Sequence, residues 1–514
     1  IVEQKRKKAR SNRPMWQKLC LDLIILAISL YGYYSFSRQK ETLQAAVVMG
    51  ESLDPLLYLS SSLFILGASL LVLRLWPYLV KLVYLLRKNR WRPAAYAAFL
   101  ELQRTGTRLY FIQTFLMLTV AMGCFSTCVA RTIETNADTS EAYHVGADIV
   151  IREKWKDNSS QRRFDETIPL VYTEADYGKY DLMEGIASRT QVYVDRSAEL
   201  SGNHSKESLI LYGIHTKTFG ETTTLPEGCM DQHYYTYLNE MAVNADYILC
   251  SSTFRDVLGY KVGDKLTYKS GDNSAVVGVI ADFVDYFPGF TPQRVALNPD
   301  GSSYIQYNYL IVANLSTLQQ AWGTIPYEIW FKLADGASTE GFYRFAEDYN
   351  LRLTKCVDLA ENLDEIRQDT VFQGTNGILT MSFIIVLLLC GIGYLIYWIL
   401  SVKSRELLFG VLRAMGLGKG SVAWMLCIEQ FFASILPVLF GAGIGMLASK
   451  LFVPLIQIAY SASDQVLPME LVLNRSDMAE LFVMIGILLL VCFALLARQV
   501  LKAGIAQALK LGED

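Results

Sequence analysis

The sequence predicts a membrane protein: six transmembrane α-helices, with a large extracytoplasmic α+β domain inserted between the third and the fourth. Three observations carry this. Hydrophobicity is gathered into six blocks, charge is segregated between two parts of the chain, and the long polar interval 131–370 alternates between strand-like and helix-like patterns. Over 514 residues, 52% of side chains are hydrophobic and the mean hydropathy is +0.25, high for a soluble protein.

The six blocks are Trp16–Ser35, Leu56–Leu73, Leu109–Ala130, Gly377–Leu400, Val422–Leu447 and Met478–Ala497. Each is long enough to cross a hydrocarbon core of roughly 30 Å as a helix. The first is the weakest, with Asp22 near its start, and the fifth carries Glu429 and Pro437. Glu429 is read as a residue near the cytoplasmic interface rather than part of a proton path, because no second intramembrane charge offers a relay.

Charge then orients the spans. Residues 131–370 hold 21 Lys and Arg against 36 Asp and Glu, a net of −15, while the remainder is net +12. The basic residues gather at 5–13 (KRKKARSNR), in Arg74–Arg108, in 401–420 and in the tail from Arg498, four places that share one side when six spans alternate. By the positive-inside rule that side is cytoplasmic, so both termini are cytoplasmic and 131–370 faces outward. The basic runs are read as topogenic anchors beside the bilayer rather than a nucleic-acid surface. No cleavable signal peptide is read at the start.

The organisation predicted is therefore fourfold. Residues 1–108 are a basic cytoplasmic start, two transmembrane helices and a cytoplasmic loop whose amphipathic part, Ala94–Arg108, lies in the interface before turning into the bilayer. Residues 109–130 are the third transmembrane helix, and 131–370 the extracytoplasmic domain. Residues 371–514 are three transmembrane helices, with 401–420 between the first two.

Within 131–370, Gly146–Glu153 (GADIVIRE), Gln191–Asp195, Ser208–Ile214, Tyr247–Cys250, Lys265–Lys269, Ala275–Val284, Tyr309–Ala313 and Tyr327–Leu333 read as strands. Thr253–Leu258, Leu315–Trp322 and Ser338–Tyr349 read as helices, and Glu361–Gln373 as a polar helix running into the fourth span. Strands mixed with separate helices make an α+β domain. Trp322, Trp330, Phe283, Tyr286 and Phe287 are either core or the lining of an apolar cleft, and DFVDYFPGF (282–290) is a candidate functional edge. Three of nine cysteines, Cys229, Cys250 and Cys356, fall in this domain, so one bridge is allowed and no disulfide framework is demanded.

Catalytic chemistry is not expected in this chain. No G-x-x-x-x-G-K-[ST] loop is present, and Gly416-Leu-Gly-Lys-Gly-Ser421 has its glycines in the wrong register. The four histidines lack metal-ligand spacing, and no G-x-S-x-G elbow supports a hydrolase. Gly441-Ala-Gly-Ile-Gly445 and Gly391-Ile-Gly393 lie in hydrophobic spans and read as small-residue faces, serving either packing within the chain or a dimer seam.

The most informative stretch is 401–420, SVKSRELLFGVLRAMGLGKG. As a helix it sets Glu406, Gly410 and Arg413 on a narrow polar stripe and Leu407, Leu408, Val411, Leu412 and Met415 on a wide apolar face. Gly416, Gly418 and Gly420 then stop it. One span, a large outer domain, three further spans and SRELLFGVLRAMGL resemble the FtsX-like/MacB-like permeases of ABC transporters, with GADIVI (146–151) and the VGD–strand–VVGVI pattern (262–264, 276–280) in support. The likeness spans about residues 94–512; the first two spans resemble the extra pair that joins the two modules of long permeases, so the chain resembles the C-terminal part of such a two-module protein.

The resemblance implies a mechanotransmission permease subunit in a bacterial cell membrane. It would extract or export a lipid, lipoprotein or antimicrobial peptide; the alternative is a regulatory scaffold that activates an extracellular hydrolase or sensor kinase. It implies a cytosolic ABC ATPase as partner, which binds the ATP, and a second permease module or chain, with no cofactor in this chain and no nucleic acid. The ATPase-coupling residues it implies are Arg405, Glu406, Leu408, Gly410, Val411, Leu412, Arg413, Ala414 and Gly416.

Overall fold

The computed structural model describes residues 15–38, 55–87, 93–165, 168, 170–201, 209–223, 225–226, 229–297, 303–404, 424–425, 428–429, 431–457, 466–467 and 471–502. Helices α1 (Leu21–Arg38) and α2 (Pro55–Arg87) form an antiparallel pair. Small residues let them close: a Cβ on Gly67 would lie 3.0 Å from the Leu26 backbone, and Ser29 donates to the carbonyl of Ser60 at 2.7 Å. At one end the pair is fastened by Arg74, which reaches the buried Asp22 carboxylate at 2.7 Å and the Gln17 carbonyl at 3.0 Å.

Helix α3 (Pro93–Val145) is continuous for 53 residues, about 80 Å at 1.5 Å per residue. The turn expected near Arg108 is therefore not there, and the helix does not end at Ala130. Arg104 and Arg108 mark an end of apolar sequence, not an end of helix, because charged residues are good helix formers.

The strands follow. β1 is Ile149–Glu153, β2 Lys156–Asp157, β3 Tyr172–Thr173, β4 Ile186–Leu200 and β5 Leu209–Ile214. Helices α4 (Thr216–Thr222) and α5 (Tyr234–Ala242) come next, then β6 Tyr247–Ser251, β7 Lys265–Lys269 and β8 Val276–Val284. The hairpin β9 (Gln293–Leu297) and β10 (Ser303–Tyr307) precedes β11 (Tyr309–Asn314), α6 (Leu315–Trp322), β12 (Glu328–Leu333), α7 (Glu340–Asp348) and β13 (Leu353–Asp358). Helix α8 (Leu359–Gln368) leads to α9 (Thr370–Ser404), and α10 (Leu436–Gln457) and α11 (Arg475–Lys502) complete the order. The expected strands are present, but α4, α5, β13 and the β9–β10 hairpin were not anticipated. The polar helix expected over Glu361–Gln373 breaks at Asp369, whose ψ of 130° leaves the helical region.

Nine strands form one sheet in the order β13-β1-β12-β4-β5-β11-β6-β8-β7, and β4 also pairs with β7. That pairing closes β4, β5, β11, β6, β8 and β7 into a ring, with β12, β1 and β13 as an open wing. β4 can serve both because it is 15 residues long and carries an irregularity between Asp195 and Ala198, beyond which Glu199 and Leu200 turn to β7. Bulges bend a strand in this way.

Strand alternation supplies three cores. One cluster includes Leu211, Ile248, Cys250, Leu266, Ile280 and Ile311 of the ring strands, joined by Leu315 and Leu318 of α6. The opposite face includes Tyr212, Leu249, Leu310, Val312 and Trp330, covered by Phe219 of α4, Leu238 and Met241 of α5, and Phe287 and Phe290. The wing packs Ile149, Ile151, Ile329 and Phe331 against Phe342 and Phe345 of α7.

Five helical stretches among the described residues are long and apolar enough to cross a membrane: Leu59–Leu82, Tyr110–Val145, Thr380–Leu400, Phe431–Leu455 and Arg475–Leu495. Expected span one exists as α1, but Asp22 and its run of tyrosines and serines leave it less apolar than these five.

Candidate functional site

All nine residues assigned to ATPase coupling, Arg405, Glu406, Leu408, Gly410, Val411, Leu412, Arg413, Ala414 and Gly416, lie outside the described residues. What the structure describes is the apparatus on which that segment would act. α9 is helical up to Ser404, and so includes the first four residues of the 401–420 segment, and runs back to Thr370 at the sheet domain. α3 makes the same journey from Pro93 to Val145. Two long helices thus join the apolar bundle to the sheet domain.

Within the bundle α3 is the hub. A Cβ on Gly441 of α10 would lie 2.8 Å from the Met117 carbonyl, and one on Gly445 would lie 2.7 Å from the Ala121 carbonyl. The small-residue face read in the sequence therefore packs α10 on α3 within the chain. Gly123 of α3 sits against Phe383 of α9 and Leu481 of α11, and Gly391 of α9 against Leu488 of α11, while Gly393 and Gly443 face open space. Glu429, helical and only 1% exposed, stands just before the apolar stretch Phe431–Leu455.

Higher on α3, Arg131 makes a two-pronged contact with Asp477 of α11 at 2.7 and 2.9 Å, and also reaches Glu134 at 3.1 Å. The neighbouring Thr132 accepts from the Val472 backbone N–H at 3.2 Å. About two to three turns further up, α8 is strapped alongside: Asn362 donates to Glu141 at 2.7 Å and Arg367 to Asp138 at 2.9 Å. Asp358 caps α8 by accepting from the Ala360 and Glu361 N–H groups.

The top of α3 is keyed into the sheet domain. The Tyr143 hydroxyl donates to the Phe290 carbonyl at 2.6 Å and accepts from the Phe287 N–H at 3.1 Å, and the Tyr143 carbonyl accepts from Gly289 N–H at 2.7 Å. Gly146 ends the helix at φ +81°, where any Cβ would lie 2.5 Å from the Trp330 ring. Gly289 has φ +74°, with the Tyr212 hydroxyl 2.8 Å from where its Cβ would be. Only glycine meets both demands.

The DFVDYFPGF stretch is thus a socket rather than an outer edge. Phe283, Phe287 and Phe290 are buried, and Phe287 stacks on Phe219 with ring centroids 5.4 Å apart. Trp330 belongs to the same core, and half-buried Trp322 bonds the Ser274 carbonyl through Nε1 at 2.7 Å. These aromatics divide between two cores instead of lining one cleft. The signal for the socket was the pairing of Pro288-Gly289 with a tyrosine three residues before Gly146, which means nothing until the fold brings them together.

Other polar groups of the sheet domain are structural. Glu328, buried on β12, is held by Lys355 at 3.0 Å, by Arg152 at 3.3 Å and by the Trp330 indole at 3.2 Å. Burial holds the His215 imidazole below its usual range and pushes the exposed-edge Cys356 thiol up. Among the described residues no cluster of His, Cys, Asp and Glu could hold a metal ion.

The fold defines a multi-spanning membrane protein whose large α+β domain is keyed to the end of one long helix. Residues 380–505 match the family model of the FtsX-like permease C-terminal region. The resemblance carried by SRELLFGVLRAMGL is found in this part of the chain, which is FtsX-like. Among solved structures, the periplasmic region of MacB from Actinobacillus actinomycetemcomitans aligns at 14% identity over 44% of this chain and 96% of that one, with a TM-score of 0.27. No curated protein matches the chain.

Proposed function

We propose that this chain is the membrane subunit of an ABC transporter, converting ATP-driven motion of a separate cytosolic ATPase into movement of its α+β domain. The observation that carries the reading is the FtsX-like match over 380–505, which contains the 401–420 segment. Charge segregation supports a bacterial cell-membrane topology with both termini cytoplasmic and 131–370 outside. The work would be extraction or export of a lipid, lipoprotein or peptide, in company with a second permease module or chain.

One structural feature favours transmission over conduction. α3 and α9 both continue from the bundle to the domain, so displacement at Ser404 has a helical route upward. Coupling would be made by Glu406 and Arg413 on the polar stripe and by Leu408, Val411 and Leu412 on the apolar face. The test is capture of the ATP-binding-cassette ATPase by the full chain. Glu406→Ala and Leu412→Asp are each expected to weaken capture at least tenfold, and undiminished capture by both variants would sink the coupling assignment.

A further inference from the structure

Gln113 of α3 is 0% exposed, and neither its amide oxygen nor its amide nitrogen has a hydrogen-bond partner. Trp398 of α9, also 0% exposed, makes no well-formed hydrogen bond at its indole Nε1, which lies by the Tyr394 hydroxyl. A buried polar group without a partner is costly, and more so inside an apolar bundle. Packing registers bring both residues to neighbouring turns of the bundle.

α3 and α10 run parallel, with Met117 against Gly441 and Ala121 against Gly445. One turn lower, the same register sets Gln113 beside Pro437. Proline brings no N–H to the helix ladder, so the carbonyl four residues back, that of Ala433, is not served by it. The chain opens into a π turn at this place, Phe431–Ile435, and such turns recur at functional sites.

α3 and α9 run antiparallel, with Gly123 against Phe383. Ten residues along α3 and eleven along α9, about 15 Å lower, Gln113 comes level with Tyr394. The Tyr394 hydroxyl and Ser434 Oγ are 2.6 Å apart, and Trp398 stands one turn further along α9. Tyr394, Trp398, Ala433 and the neighbours of Gln113, Ile112 and Leu116, all belong to one buried cluster.

Two amide atoms, an indole N–H, a carbonyl at a proline and a hydroxyl pair therefore gather in otherwise apolar surroundings. Buried waters occupy polar sites of this kind, bonded to two to four partners. We propose that this layer is a water-binding site, in which water bridges the Gln113 amide to Trp398 Nε1 and to the Ala433 carbonyl at the π turn. The proposal goes beyond the transporter reading and does not rest on it. Its consequence is that α3 and α9 meet here through an exchangeable partner rather than a fixed side-chain bond.

The test uses the full chain in lipid nanodiscs. A map at a resolution that shows ordered water is expected to place density within hydrogen-bond distance of the Gln113 amide. Gln113→Leu is expected to abolish that density and lower the unfolding midpoint by several degrees, with Met117→Leu, one turn up on the same face, as control. A wild-type map with no such density, or with the amide bonded to protein, would overturn the proposal. So would a Gln113→Leu midpoint equal to or above wild type, the result for removal of a dry, unserved amide. Should the variant fail to fold, the wild-type map decides alone.

Discussion

Replacing Gly445 by alanine tests the contact that makes α3 the hub of the bundle. The added Cβ would lie 2.7 Å from the Ala121 carbonyl oxygen, 2.7 Å from Cys124 Cβ and 3.0 Å from Ala121 Cα. Two of these are backbone atoms, which cannot swing aside as a flexible side chain would, so α10 must back away from α3 by about 0.7 Å to restore ordinary contact. Overpacking of this kind costs about 1–3 kcal/mol. Alanine also gains up to about 1 kcal/mol over glycine in helix propensity, which would mask part of the loss. Gly443 removes that ambiguity, because its added Cβ meets nothing within 4 Å and Gly443→Ala collects the propensity alone. The difference between the two variants is then the packing term. Denaturant or thermal unfolding of the purified full chain, followed by tryptophan fluorescence, should place Gly445→Ala about 1–3 kcal/mol below Gly443→Ala. Equal stability of the two variants would refute the close approach of α10 to α3.

Three further outcomes follow from the contacts along α3. Tyr143→Phe removes the hydroxyl that bonds both Phe290 and Phe287, so the same unfolding assay should show a loss of about 1–3 kcal/mol, the cost of a buried bond and an unserved partner. A double-mutant cycle of Arg131→Gln and Asp477→Asn should return a coupling of about 1 kcal/mol or less, because the pair is partly solvent-screened despite its two short contacts. His215 is held below its usual value of 6.5 by burial, so the folded state binds fewer protons there than the unfolded state. Its contribution is intact above that value and fades as pH falls through it. His215→Gln should therefore flatten the fall in melting temperature between pH 7.5 and 5.5, and a parallel profile would exclude the residue as a contributor.

The sequence exposed the elements whose physics is local. Hydrophobic blocks located the membrane helices, and period-two alternation located most strands, since both patterns depend on which side of one element is wet. It failed where structure depends on distant partners. The end of α3 was misplaced because Arg104, Arg108 and the acids after Arg131 signal leaving the bilayer, and nothing in them says whether the helix continues. The ring closure through Glu199 and Leu200 rests on two residues at the end of a strand whose second half is irregular. DFVDYFPGF was legible as unusual but not as a socket, because its meaning lies in Tyr143, 147 positions away from Phe290 in sequence. Gly441 and Gly445 were readable as a packing face, while their partner, the α3 backbone, was not.

The arrangement of joints constrains how any motion reaches the α+β domain. α3 meets the domain directly, through three hydrogen bonds of Tyr143 and two glycines locked under Trp330 and Tyr212. α9 meets it indirectly, because the helix is interrupted at Asp369 and resumes as α8. α8 runs on directly from β13 and is also tied to α3 by Asn362–Glu141 and Arg367–Asp138, so the α9 route reaches the domain both along the chain and through the 15-residue top of α3. A break in a helix absorbs rotation that a continuous helix would pass on. Motion of α9 relative to α3 would then be taken up at Asp369, whereas tilt of α3 would carry the domain with it. Under the transporter reading, displacement after Ser404 reaches the domain along α9 and α8 and also wherever the bundle converts displacement of α9 into displacement of α3. Those helices meet at Gly123 against Phe383 and, lower down, where Ile112 and Leu116 share a buried cluster with Cys390, Tyr394 and Trp398.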